Sequence, residues 1–193
     1  ITDLQNALRS SRAFPTTGDA KLLCILIGFS DMAFTETQAH FDNLFNQVGY
    51  GTYGSVKDFY EENSYGQFHL TVDVAGPYTA SNTHAYYGQN GPDPPGDKDL
   101  NVKELVEEAV DFADDDVDFS DYDNDNDGNV DGIYIVYAGY NEAEGGGADC
   151  IWYHASGITP VTKDGVSVSA YSCSAEFKSN NGAELIGKLE TNS

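Results

Sequence analysis

The amino-acid sequence predicts a single α/β (α+β) domain in which a β-sheet packs with helices. An almost continuously apolar run at residues 21–30 is typical of a central strand that is covered on both faces. Two segments with helical periodicity follow, and the pattern changes to an alternation with period two from Phe68 onward. Because strand and helix patterns alternate with no internal repeat and no interdomain linker, residues 1–193 are expected to form one domain.

Two amphipathic helices are predicted after the first strand. Residues 35–47 begin with the capping-box pair Thr35 and Gln38, and their apolar side chains fall on one stripe. Residues 55–63 repeat this pattern, with Ser55 as the predicted N-cap. Both helices are therefore expected to turn an apolar face toward the core.

The middle of the chain combines a loop, a helix and a strand. Residues 88–97 contain three of the six prolines and are predicted to form a surface loop. Asn101 is the predicted cap of the next helix, with Glu104 completing the capping box. After an acidic stretch, residues 132–140 are rich in β-branched and aromatic side chains, which predicts a strand.

The segment from Cys150 onward is predicted to be sheet. Its candidate strands are residues 150–155, 158–162 and 166–172, the last two joined by a tight turn at residues 163–165. Cys150 and Cys173 lie on or beside neighbouring candidate strands, whereas Cys24 is expected to be a small buried residue of the first strand. Sequence alone does not fix cysteine pairing, so a disulfide and two unpaired thiols both remain open.

The charge of the chain limits the partners it can have. Nine Lys and Arg residues stand against 32 Asp and Glu, and the formal net charge of -23 excludes nucleic acid and anionic membranes. No apolar run approaches the roughly 20 residues that span a bilayer. Residue 1 is not Met and the chain has only three cysteines, so a processed, secreted, extracellular protein is expected.

The acidic residues are concentrated in one region, which indicates a local cation site. Half of the carboxylates lie between residues 93 and 131, and residues 123–131 have the sequence Asp-Asn-Asp-Asn-Asp-Gly-Asn-Val-Asp. Alternate carboxylates on a tightly turning loop converge, and Ca2+ binds such oxygens at about 2.4 Å. Gly128 permits the turn, and Val130 is expected to anchor the loop in the core. The predicted calcium ligands are Asp123, Asp125, Asp127, Asn129 through its carbonyl, and Asp131.

This loop departs from an EF-hand at its twelfth position, where Tyr134 replaces the bidentate Glu. A further ligand must then come from elsewhere, and Asp121, Asp118 and Asp116 are the nearby candidates. The ion is predicted to be structural. The alternative is a solvated acidic turn that holds no metal.

Other candidate sites have weaker support. The histidines are scattered, with no spacing that places two imidazoles on one helix face for zinc. They are His40, His69, His84 and His154. No Gly-x-Ser-x-Gly segment supports a hydrolytic nucleophile. Glu142, Glu144 and Glu176 could supply the paired carboxylates of a glycoside hydrolase, a hypothesis that rests on composition alone.

Four segments of the chain, taken in order, carry a family resemblance. They are residues 22–31, 54–78, 117–146 and 151–156, and the second contains the unusual sequence Gly-Ser-Val-Lys-Asp-Phe-Tyr-Glu-Glu-Asn-Ser-Tyr-Gly-Gln. Together they resemble the secreted zinc metallopeptidases of the immune inhibitor A type, over nearly the whole chain. The resemblance implies a zincin-like fold with a twisted mixed sheet, bound calcium, and a zinc-bound water that attacks peptide bonds of extracellular proteins.

The zinc-binding motif of that family does not occur in the chain. The family places His-Glu-x-x-His on a helix soon after a segment that matches residues 171–177, whereas residues 183–193 are Ala-Glu-Leu-Ile-Gly-Lys-Leu-Glu-Thr-Asn-Ser. No position matches a zinc ligand or the catalytic Glu, so no catalytic residue is assigned. Residues 183–187 are expected to begin the active-site helix, and residues 188–193 to be a cut or altered end. The alternative is a calcium-stabilised relative without activity, whose full gene never had the motif.

The first functional hypothesis is therefore the N-terminal part of a secreted, zinc-dependent metalloendopeptidase domain that is calcium-stabilised, truncated and inactive in this form. Zinc is expected for the complete family domain but is not bound by this chain, and the expected partners are protein or peptide substrates. The second hypothesis is a non-catalytic, calcium-dependent binding or adhesion module. Its contact surface would include Tyr86, Tyr87 and Trp152.

Overall fold

A computed structural model describes residues 14–92 and 99–177, which form a five-stranded mixed β-sheet packed with helices. The strands are β1 (Gly18–Gly28), β2 (Phe68–Thr79), β3 (Ile133–Tyr140), β4 (His154–Lys163) and β5 (Val166–Phe177). Their spatial order is β2-β1-β3-β5-β4, parallel throughout except that the edge strand β4 is antiparallel to β5. The predicted α/β class with a mixed sheet is confirmed, and the architecture is consistent with a zincin-like domain.

Helices cover both faces of this sheet. In the described residues they are α1 (Gln38–Asn46), α2 (Val56–Asn63), α3 (His84–Tyr87) and α4 (Val102–Ala113), with short 3-10 helices η1 (Phe119–Tyr122) and η2 (Glu142–Glu144). Phe41, Leu44 and Phe45 of α1 and Val56 of α2 join one core cluster, and the buried side chains of α4 join the other. The predicted helical segments are thus present, but the predicted apolar face of α2 is buried only at Val56.

The first strand lies in the interior of the sheet, between β2 and β3, and both of its faces are apolar. Leu23 and Ile25 pack in the cluster that contains α4, while Cys24 and Leu26 pack in the cluster that contains α1 and α2. All four side chains are 0% exposed. Since the side chains of a strand alternate between faces, only an unbroken apolar run can serve two core layers. The prediction of a central, doubly covered strand is confirmed.

The N-terminus of α1 lies beyond the predicted capping residue. Thr37, rather than Thr35, is the N-cap, and its side chain accepts a hydrogen bond from the His40 backbone N–H at 3.2 Å. The backbone N–H groups of Thr35 and Glu36 instead donate to the Glu176 carboxylate, each at 2.8 Å. This tertiary contact holds residue 35 outside the helix, and the local sequence does not reveal it.

The starts of α2 and α4 differ in how far local sequence determines them. Ser55 caps α2 as predicted, and Asp58 completes its capping box. Asn101 precedes α4 but makes no side-chain capping bond, because its Nδ2 donates to the Tyr86 carbonyl at 2.8 Å. Glu104 likewise accepts a hydrogen bond from the Tyr86 hydroxyl at 2.8 Å. The predicted capping box at Asn101 is therefore wrong, although the helix is present.

The C-terminal hairpin is longer than predicted, and the segment before it is irregular. The turn between β4 and β5 places Asp164 and Gly165 at φ values of 50° and 86°, which fits the predicted tight hairpin. The predicted strand at residues 150–155 is wrong in its first part, because β4 begins at His154. The chain's three cysteines all lie in the described residues and are free and buried, so the structure contains no Cys150–Cys173 disulfide. The predictions for residues 93–97 and 183–193 lie outside the described residues.

Candidate metal centre

The acidic loop of residues 123–131 is held between η1 and β3 by apolar and backbone contacts. Val130 is 4% exposed, and its backbone N–H donates to the Ser167 carbonyl at 3.0 Å. The Ser167 N–H donates in turn to the Gly128 carbonyl at 2.9 Å, and Asn129 forms a parallel β-bridge with Ser167. The expected anchoring of the loop through Val130 is confirmed, and β5 supplies its backbone partners.

Three carboxylates converge inside this loop. Asp123, Asp125 and Asp127 each place an oxygen within 4.8 Å of the other two. The turn is closed by backbone donors, since the Asp127 and Gly128 N–H groups donate to Asp123 at 3.0 and 2.9 Å. Gly128 has a φ of 87°, a conformation that residues with a Cβ rarely adopt. The arrangement resembles the first part of a calcium loop, with anionic oxygens turned toward one point.

The remaining predicted ligands lie beside this group in different ways. The Asn129 side-chain Nδ2 donates to Asp127 at 2.9 Å, and the atom of Asn129 that is predicted to contact a cation is its backbone carbonyl oxygen. Asp131 accepts hydrogen bonds from the backbone and side chain of Asn124, at 3.0 and 2.8 Å. Burial raises the pKa of Asp131 despite these bonds, and the charges of Asp125 and Asp123 raise it further. Asp131 therefore lies within electrostatic reach of the converging carboxylates.

Asn124 is a structural residue of the loop that sequence reasoning missed. Its Oδ1 accepts from the Lys21 backbone N–H at 2.8 Å, and its Nδ2 lies 3.1 Å from the Lys21 carbonyl. The side chain thereby ties the loop to β1. Nothing in the repeating Asp-Asn pattern distinguishes Asn124 from Asn126, because the contact joins residues 103 positions apart.

The three candidates for an additional calcium ligand are engaged elsewhere. Asp121 forms an ion pair with Lys21 at 2.9 Å, and Asp118 accepts from the Ser120 N–H at the start of η1. Asp116 accepts from the Tyr78 hydroxyl at 2.6 Å. Among the described residues, the structure brings none of these three into the group formed by Asp123, Asp125 and Asp127.

The four histidines and the three glutamates considered as other candidates do not come together in a metal-binding group in the described residues. The histidines contact different partners: His69 with Glu61, His84 with Asp31, His154 with Tyr171, and His40 with Tyr50. Glu176 is 1% exposed and accepts backbone hydrogen bonds, a position unsuited to the exposed carboxylate pair of a glycosidase. Tyr87 is 0% exposed, so it cannot belong to a contact surface, while Tyr86 and Trp152 are partly exposed.

An open pocket of about 960 Å³ lies against the sheet. Its lining is mainly apolar and includes Phe45, Leu70, Tyr134, His154, Tyr171 and Cys173. Burial raises the pKa of Cys173 to about 12, so its thiol is protonated at neutral pH and is a poor nucleophile. The pocket therefore offers apolar surface rather than an activated nucleophile.

Comparison with known proteins connects this fold to a family. Residues 14–180 match the family described as "Immune inhibitor A peptidase M6, catalytic domain". The chain belongs to this family. It is also 33% identical to the pre-pro-metalloprotease PrtV from two strains of Vibrio cholerae serotype O1, with 69% of this chain and 19% of the relative aligned. The chain thus spans about a fifth of the length of the curated relatives it matches.

Peptidases of the M6 family are zinc-dependent, so the described residues of this M6 domain can be tested as zinc ligands. Within residues 14–92 and 99–177, the only group of three or more His, Cys, Asp or Glu side chains close enough to share an ion is the Asp123, Asp125 and Asp127 group. It is all-oxygen, whereas zinc sites of this kind use imidazole nitrogens. The described residues therefore do not fit zinc. No described helix is long and apolar enough to cross a membrane.

Proposed function

We propose that this chain forms part of the catalytic domain of a secreted, zinc-dependent metalloendopeptidase that hydrolyses proteins or peptides. The observation that carries the proposal is the M6 catalytic-domain match, which extends over all the described residues. The metalloprotease relative supports the same activity. The net charge of -23 fits a soluble, exported enzyme and opposes binding to polyanions.

The chain by itself is proposed to be inactive. The 193 residues contain no His-Glu-x-x-His, the pattern that supplies two zinc ligands and a general base from one helix face. No described residue can be assigned to zinc binding or to proton transfer. The described residues are therefore given no direct role in the hydrolysis step. The proposed contribution of these residues is the mixed sheet and the loop that stabilises it.

The loop of residues 123–131 is proposed to bind a structural calcium ion. The proposed ligands are Asp123, Asp125, Asp127, Asn129 and Asp131. Support comes from the converging carboxylates and from the anchoring of the loop on β5 and β1. Without a cation these charges repel one another, whereas Ca2+ takes several such oxygens at once.

Hydrolysis assays test the proposed activity. The product of the complete gene is expected to cleave an unfolded protein substrate, to lose this activity with a zinc-selective chelator, and to regain it when zinc is restored. The 193-residue chain is the matched comparison and is expected to remain inactive with added zinc. If the complete product fails to hydrolyse peptides but is retained by proteins or glycans in a calcium-dependent way, the binding-module hypothesis replaces the peptidase.

A further inference from the structure

The pocket of about 960 Å³ lies on the face of the sheet that α1 and α2 cover only in part. Both helices pack on the edge strand β2, whereas Tyr134 of β3 and Ser172 of β5 line the pocket and stay half-buried. Phe45, Leu22 and Leu70 supply apolar walls from α1, β1 and β2. Apolar surface of this extent usually marks a binding site for an apolar partner.

The described part of the chain begins inside this pocket. Phe14, Pro15 and Thr16 are themselves lining residues, and the Phe14 ring packs edge-on against Phe68 with 6.2 Å between ring centroids. Residues 1–13 are therefore tethered to the pocket wall. A short tether gives a segment a local concentration on the order of millimolar, so even a weak affinity for the pocket suffices for occupancy.

The residues that follow β5 start at the opposite end of the sheet. Phe177 pairs with Tyr140, the last residue of β3, whereas the pocket lies beside Tyr171, which pairs with Ile133 at the first residue of β3. The strands β1 and β2 also contribute their first halves to the pocket. Residues 1–13 are therefore better placed to occupy it than residues 178–193.

The sequence of residues 1–13 has the pattern of a short amphipathic helix. Thr2 and Gln5 have the spacing of a capping box, and Leu4, Ala7 and Leu8 follow the i, i+3, i+4 order of one apolar stripe. A helix of ten residues is about 15 Å long. Helices of this kind bind by laying their apolar stripe into a hydrophobic groove.

The charge of this segment is opposite to that of the rest of the chain. Arg9 and Arg12 are the only arginines in the sequence, and against Asp3 they give residues 1–13 a side-chain charge of +1, whereas the whole chain carries -23. Asp131 lies in the pocket lining. Attraction between such charges acts over a Debye length of roughly 8 Å at physiological salt and adds to the apolar contact.

We propose that residues 1–13 bind in this pocket as an amphipathic helix of the same chain. Leu4 and Leu8 face the sheet, and Arg9 and Arg12 lie toward the acidic surface. The segment is then an intramolecular ligand that covers the uncovered part of the sheet and keeps the pocket from other apolar partners. The proposal does not depend on the peptidase activity.

Amide hydrogen exchange of the 193-residue chain tests the proposal. The amides of residues 4–9 are expected to exchange at least about tenfold more slowly than in the free 13-residue peptide. The double variant Leu4→Asp/Leu8→Asp is expected to lose this protection. The double variant Asn6→Asp/Ser10→Asp is the matched control, because it adds the same two charges to the opposite face of the predicted helix, and it is expected to retain protection.

A substitution in the pocket gives the reciprocal test. Ser172→Asp places a charge in the lining and is expected to release residues 1–13 in the same exchange measurement. Thr162→Asp adds the same charge at an exposed position of β4 outside the lining, and is expected to leave residues 1–13 protected. Near-ultraviolet circular dichroism verifies that each variant is folded. If Ser172→Asp does not fold, the Leu4→Asp/Leu8→Asp comparison decides alone, since its changes lie outside the sheet.

Three results of the exchange measurement would overturn the proposal. Residues 1–13 of the parent could exchange as fast as the free peptide. Protection could instead lie in residues 178–193, which would assign the pocket to that segment. Protection of residues 1–13 could rise with protein concentration, which would assign the pocket to the segment of a second copy of the chain.

Discussion

At the residue scale, Glu176 is a buried carboxylate that is held by backbone donors rather than by a cation. It is 1% exposed and accepts hydrogen bonds from the N–H groups of Thr35, Glu36 and Gly139, at 2.8, 2.8 and 3.1 Å. Hydrogen bonds to a carboxylate are stronger than those to a neutral acceptor. Glu176 therefore fixes the chain before α1 and the end of β3 against β5.

Glu176→Gln tests this role. The amide retains one oxygen but turns an NH2 group toward a backbone N–H, so the free energy of unfolding is expected to fall by about 1–3 kcal/mol. Urea denaturation measures the change. Glu144→Gln is the control, expected to stay within about 0.5 kcal/mol of the parent, since Glu144 is not deeply buried. Equal, small effects of both substitutions would contradict the assigned role of Glu176.

At the scale of single elements, two threonines near α1 show where local sequence stops being sufficient. Thr35 and Thr37 are both good N-cap residues, and the capping-box spacing with Gln38 favours Thr35. The structure selects Thr37, because Glu176 binds the backbone of Thr35. The helix itself is predictable from its apolar stripe, but its first residue depends on a strand about 140 residues away in sequence.

The two threonines form a matched pair of substitutions. Thr37→Ala removes the side chain that accepts from His40 and is expected to lower the free energy of unfolding by about 1 kcal/mol. Thr35→Ala is expected to have a smaller effect, since Thr35 contributes its backbone N–H to Glu176. Chemical denaturation of both variants measures the difference. A larger loss for Thr35→Ala would mean that the helix begins where the local pattern alone placed it.

The acidic loop is the element whose stability is expected to depend on metal. Asp125→Asn removes one of the converging carboxylates and is expected to reduce the calcium-dependent rise in the unfolding midpoint. Calcium at a hundredfold its dissociation constant contributes about 2.7 kcal/mol if only the folded chain binds it. Differential scanning calorimetry with calcium or chelator measures this, with the exposed Asp115→Asn as control. An identical calcium response of both variants would contradict the proposed loop site.

At the scale of the whole molecule, features that depend on consecutive residues are predictable from the sequence. Features that depend on contacts between distant parts of the chain are not. The apolar run of β1 and the tight turn at residues 163–165 each depend on consecutive residues, and both predictions are confirmed. The start of β4 and the capping of α4 depend on tertiary contacts.

The acidic loop is a site whose ligands are partly predictable from the sequence without knowledge of the fold. The positions of Asp123, Asp125 and Asp127 follow from alternate spacing and a glycine turn, and the structure brings these three side chains together. Asp121, Asp118 and Asp116, the candidates for an additional ligand, do not join this group, because each of these carboxylates contacts a different partner. Proximity in sequence therefore predicts which carboxylates come together within the turn, but it does not predict additional carboxylates outside the turn.

Zinc content tests the proposal that this chain is part of a zinc metalloendopeptidase domain and does not itself hold the zinc ligands. Elemental analysis of the purified product of the complete gene should find about one zinc ion per molecule, and none above background in the 193-residue chain prepared alongside it. A complete product that holds no zinc would contradict the proposed activity, whereas tight zinc binding by the 193-residue chain would show that it does hold zinc ligands.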